Sequence, residues 1–77
     1  MSKFAKKIED TRLTFSDSIY MKELSIPENL IEDFVYYVFE DEEANTYVGT
    51  NDALGLLEFM MERSKPYLIL KEKEKQD

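Results

Sequence analysis

The stretch FVYYVFEDEEANTY, residues 34–47, admits two readings, and the fold turns on which one holds. As a strand, Phe34 to Phe39 offers six consecutive β-branched or aromatic residues. These are the best strand formers, and their helix propensity is mediocre. EDEEAN is then a turn, with Asn45 able to adopt a left-handed conformation, and TYVGT is a second short strand. As a helix opening at Pro27, the same region puts Leu30, Ile31, Phe34, Val35 and Val38 on one face. The turn-like cluster after Phe39 favours a hairpin over residues 33–50, with 33–41 paired to 46–50. The helix stays open as the alternative.

Outward from that stretch the pattern is mixed. Residues 3–10 can form a short amphipathic helix with Phe4 and Ile8 on one side. TRLTF resembles a strand, and SIYMKEL is either a strand or a helical turn capped by Ser16. Residues 52–63 form a helix capped by Asn51 or Thr50, with Asp52 favouring its N-terminal dipole. At 100° per residue, Ala53, Leu56, Leu57 and Met60 centre its apolar face, flanked by Leu54 and Met61. Lys65-Pro66 ends it, and Tyr67, Leu68, Ile69 and Leu70 make a final strand within about 66–71. The expected fold is a small α+β domain over residues 1–70: a mostly antiparallel sheet with one main helix. Residues 71–77, KEKEKQD, are expected to be a charged, disordered tail.

Composition narrows the chemistry. The chain has no cysteine and no histidine, which removes thiol nucleophiles, thiolate metal sites and the commonest general base. No glycine-rich phosphate loop is present, so no enzymatic activity and no cofactor are expected. Asp41, Glu43, Asn45, Tyr47 and Asp52 fall at positions 1, 3, 5, 7 and 12 of a calcium-loop spacing. Thr46 stands where that loop needs glycine, and Asp52 where it needs a bidentate glutamate, so no metal is expected there. The longest apolar run, FVYYVF, is six residues against the roughly 20 that span a bilayer. The N-terminus lacks an apolar signal segment. A cytoplasmic protein with no membrane partner is expected.

Charge is the strongest signal. The formal net charge is −7, and between Glu23 and Glu62 lie eleven acids with no lysine or arginine. Basic residues sit only near the two ends, so direct nucleic-acid binding is not expected. A surface of this kind is either a solvated face that maintains solubility or one built to meet a basic partner. The candidate partner-binding residues are Glu40, Asp41, Glu42 and Glu43 as one charge row, with Glu58 and Glu62 as a second patch. Glu58 and Glu62 repel at i,i+4, and Glu62 opposes the helix dipole. Phe59 falls among acids, off the apolar stripe, and is either an interface anchor or packed on a neighbouring segment.

In size and composition the chain resembles phage or mobile-element inhibitors that mimic DNA, of the anti-CRISPR and anti-restriction kind. That resemblance implies a non-catalytic inhibitor or regulator of a basic, nucleic-acid-binding protein. The alternative is a small structural module that self-associates through an apolar strand face as a homodimer, with Tyr36 and Tyr37 in the interface.

Overall fold

A computed structural model describes residues 2–75, and every regular element among them is helical. The α-helices are α1 (Lys3–Thr14), α2 (Ile31–Phe39), α3 (Glu43–Gly49) and α4 (Ala53–Lys75). A π-helical turn at Ile19–Glu23 and a 3-10 turn at Glu28–Leu30 lead from α1 to α2. The α+β expectation is overturned. The hairpin over 33–50 is α2 followed by α3, and the final strand at 66–71 lies inside α4. Helix α4 reaches Lys75, so residues 71–75 are helical; residues 76 and 77 lie outside the described residues.

Burial decides against the strand. Ile31, Phe34, Val35 and Val38 are fully buried and Phe39 nearly so, a 3.6-residue spacing that turns one broad face inward. A strand would send alternate members of FVYYVF to opposite sheet faces and would need cover on both. As a helix, the segment buries all but its two tyrosines, Tyr36 exposed and Tyr37 half-buried. Glu28, Glu32 and Asp33 begin the segment, where the helix dipole favours acids. Packing thus overrides the β propensity of the individual residues.

α2 is the centre of the molecule and packs against α1, α3 and α4. From α1 comes Ile8, with Ser2 capping its first turn through the Ala5 amide at 3.1 Å. TRLTF is not a strand, since α1 runs to Thr14. Tyr20, fully buried, donates its hydroxyl to the Thr11 carbonyl at 3.0 Å, and burial pushes its pKa up to about 12. The π turn closes with Ser25 in the left-handed region (φ 60°) and the Ile26 amide bonded back to the Tyr20 carbonyl at 2.9 Å. That bond returns Leu24 and Ile26 to the core.

The inward stripe of α4 is Leu56, Phe59, Met60, Ser64 and Tyr67. It is rotated from the expected face: Leu54 is 68% exposed and Met61 is 42% exposed, while Phe59 is buried. Tyr67 carries the helix past Pro66. Its ring lies 5.1 Å from Phe34 and 5.2 Å from Tyr37, and its hydroxyl donates to Asp33 Oδ2 at 2.7 Å. Lys71 Nζ reaches the same oxygen at 3.1 Å. Those contacts hold residues 67–71 in helix although Pro66 removes an amide donor and crowds the carbonyl four residues back.

Two outcomes test this architecture. Pro66 is exposed within α4, and proline costs about 3 kcal/mol relative to alanine inside a helix. Pro66→Ala should therefore stabilise the protein by up to about 3 kcal/mol in urea denaturation; in a strand-initiating turn it would not. The second concerns pH. Hydrogen bonds from Tyr67 and then Lys71 hold the Asp33 carboxyl below its ordinary value. A lowered folded pKa gives stability that is present above the unfolded value and lost as pH falls through the folded one. Asp33→Asn should lower the melting temperature at pH 7, and should flatten its fall below about pH 4 relative to wild type.

Candidate functional site

The corner between α2 and α3 answers why four acids stand in a row. Asp41 turns the chain: its Oδ1 accepts from the Glu43 amide at 2.9 Å and its carbonyl accepts from the Ala44 amide at 3.1 Å. Glu43 falls in the first turn of α3, with Glu42 immediately before it, where the helix dipole favours negative charge. EDEE is therefore a helix junction and not a hairpin tip. Asn45 is not left-handed; it sits within α3, and its Oδ1 accepts from Lys7 Nζ at 2.6 Å. The left-handed residue is Asn51 (φ 56°), which closes α3 with the Asn51 and Asp52 amides bonded to the Val48 and Tyr47 carbonyls.

Asp52 then begins α4, its Oδ1 accepting from the Gly55 amide at 2.8 Å. Gly55 is required by this arrangement. A Cβ there would collide with the Asp52 carboxylate and stand 2.9 Å from the Tyr47 ring. The same close approach seats Tyr47 5.6 Å from Phe59.

Arg63 joins the two acidic groups. Its Nη2 meets Asp41 Oδ2 at 2.8 Å, and its guanidinium lies 5.1 Å over the Phe59 ring. One hollow beside it is lined by Tyr37, Glu40, Asp41 and Glu42. An adjoining hollow, also lined by Arg63, holds Glu43, Asp52, Glu58 and Glu62 over Phe59 and Tyr47. The structure thus gathers all seven predicted residues on one face. Asp41 is half-buried, and the other five predicted acids are exposed. Of the two readings of Phe59, burial fits the packed one: at 5% exposed it is the floor of the face and does not protrude.

Seven carboxylates, Asp52 included, surround one guanidinium, leaving a formal −6. The guanidinium is itself engaged, so the outer rim is acidic. Among the described residues no group of three or more His, Cys, Asp or Glu side chains is placed to hold a metal ion. The calcium-loop spacing dissolves into α3 and the cap of α4, with both Asp41 oxygens already bonded. An acidic rim of this kind is complementary to a positively charged surface.

Sequence reasoning missed Arg63, Tyr47 and Asp52 as members of the site. For Arg63 a signal existed, since it is the first base after forty residues without one. Tyr47 carried none, because a hairpin would have sent it elsewhere.

A family model, BamP, C-terminal domain, matches residues 2–71. The chain belongs to that family. No curated protein and no solved structure matches it. Family membership overturns the resemblance to phage DNA mimics, with its anti-CRISPR and anti-restriction roles, and the cytoplasmic placement with it. A protein partner holds in its coarse form, but a nucleic-acid-binding target does not. Self-association through a strand face is overturned with the strand, whose apolar residues are the core.

The local architecture of the face is testable. Asp52→Ala should cost about 1 kcal/mol through loss of the α4 cap. Gly55→Ala should yield none of the usual gain of about 1 kcal/mol that alanine brings to a helix, because the added methyl displaces the Asp52 cap. Both are read from thermal or urea unfolding of the purified domain.

Proposed function

We propose that this domain is a non-catalytic docking module, and that its partner belongs to the machinery of outer-membrane protein assembly. The family name supports the second half. The acidic face supports the first: six predicted acids and Asp52 are gathered around Arg63 on a floor of Phe59 and Tyr47. No helix among the described residues is long and apolar enough to cross a membrane. The matching surface on the partner carries exposed lysine or arginine. Such charges speed encounter and fix orientation more than they add affinity. Asp41 ties the corner between α2 and α3 to α4 through Arg63.

The test is in-cell cross-linking of the tagged domain, followed by identification of what it holds. Wild type should recover components of outer-membrane protein assembly. The variant Glu42→Lys, Glu58→Lys, Glu62→Lys should lose them by about tenfold or more, and raised salt should mimic that loss. These three side chains are exposed, so the fold is kept. Equal recovery by the variant would sink the acidic face as the docking surface. Recovery of cytosolic proteins alone would sink the envelope placement.

A further inference from the structure

Helix α1 carries a polar stripe along one face. Lys3, Lys6, Lys7, Asp10, Thr11 and Thr14 fall at i, i+3, i+4, i+7, i+8 and i+11. Together they form one wall of a groove of about 340 Å³. Eleven residues of helix rise make that wall about 16 Å long. Tyr47, Val48, Ala53 and Leu56, from α3 and the start of α4, form the opposite wall. Val48 and Ala53 are exposed, Tyr47 is half-buried and Leu56 is buried. One side of the groove is therefore polar and basic at its Lys3 end, and the other is largely apolar.

The stability of α1 does not explain its lysines. Lys3 and Lys6 stand in the first turn, where the helix dipole disfavours positive charge, and that turn has no acid. Lys3 also repels Lys6 at i,i+3 and Lys7 at i,i+4. Lys6 is offset by Asp10 at 3.6 Å, in a pair whose two side chains are exposed. Lys7 is half-buried, and its Nζ donates to Asn45 Oδ1 at 2.6 Å and lies 5.7 Å over the Phe39 ring. Both of those partners are neutral, so the charge is held in place and not cancelled. Lys3 enters no ion pair among the described residues. The other acid in the groove, Asp52, is committed to the α4 cap.

Spacing selects the ligand. Lys3, Lys7 and Thr11 follow one another at four-residue intervals, about 6 Å of helix rise each. Alternate side chains of an extended peptide stand about 6.7 Å apart on one face. Such a peptide sets two carboxylates against Lys3 and Lys7 and a hydroxyl beside Thr11 and Thr14. Its intervening side chains then face Val48, Ala53 and Leu56. A single-headed anion such as a fatty acid has no second carboxylate for Lys7. We infer that this groove binds a short, extended, acidic peptide segment of another protein, with its carboxylates on the α1 lysines and its apolar side chains on the α3–α4 wall. The inference does not rest on the acidic docking face, which takes the opposite charge. Tyr47 and Asp52 border both, but the three lysines belong to the groove alone.

The probe is the peptide DLDLS, acetylated and amidated, titrated into the isotope-labelled chain and followed by amide chemical shifts. Shifts should concentrate in α1 and residues 47–56, with a Kd between about 10 µM and about 1 mM. NLNLS, which lacks the charge, and DGDGS, which lacks the apolar side chains, should each bind about tenfold more weakly or worse. Lys3→Glu with Lys6→Glu should weaken DLDLS about tenfold while keeping or raising the melting temperature, because acids suit the first turn of α1. Val48→Ser, at an exposed position, should weaken it about fivefold. No shifts at about 1 mM DLDLS, shifts centred outside these segments, or equal binding by the lysine variant would each overturn the inference. So would decanoate moving these amides where DLDLS does not, which would make the ligand a lipid anion. Concentration-dependent shifts of the same amides in the chain alone would make the occupant a second copy and overturn it as well.

Discussion

Everything in this molecule follows from the need to enclose α2. Five of its nine residues are buried, four of them aromatic or β-branched side chains with no exposed surface at all. A helix so apolar cannot rest on one neighbour. α1 covers it from one side, α3 follows it around the Asp41 corner, and α4 covers it from Leu56 to Tyr67. The length of α4 is set by the same demand. Its last core contact, Tyr67, lies beyond a proline, and the aromatic cluster with Phe34 and Tyr37 outweighs the hydrogen bond that Pro66 removes.

The acidic face is a by-product of this enclosure put to use. Turning tightly from α2 into α3 needs a side chain that bonds its own backbone, and aspartate does this well. Beginning α3 favours acids for its dipole. Beginning α4 needs another acceptor, supplied by Asp52. Three local demands for carboxylate fall on one side of the molecule, and Arg63 is the counter-charge that lets them share it. Glu58 and Glu62 answer no such demand. They are the part of the face that local stability does not explain.

How much of this was legible in the sequence depends on the residue. The acidic surplus was visible, because forty residues carry eleven acids and no base; that seven of those acids line hollows around Arg63 was not, since counting charge does not say whether they share one side or wrap around the body. The helix after Asp52 was visible too, from its cap and its period. The identity of α2 was not. Phe34 to Phe39 satisfies the local criteria for a strand at every position, and only contacts with residues 8, 56 and 67 show otherwise. Calling 67–70 a strand had a similar cause: proline is a sound boundary signal until a distant aromatic cluster holds the chain in place. The rotation of the α4 stripe, with Phe59 in and Met61 out, followed from ending the helix too early, before Ser64 and Tyr67 could fix its phase.

FVYYVF carries a hazard that its helical setting conceals. Six uncharged residues of high β propensity, without proline or glycine, have the composition of segments that stack between chains into cross-β ribbons. In α2 their amides are satisfied internally and their side chains are sealed. No sheet exists among the described residues to offer an edge for recruitment. Solubility therefore hangs on keeping one short helix wrapped. Whatever loosens the clamp of Asp33 on Tyr67 and Lys71 would release a segment prone to assemble with its own kind. The acids that flank it on both sides, Glu32 and Asp33 before and Glu40 to Glu43 after, then serve the unfolded chain as well as the folded one, holding such segments apart by repulsion.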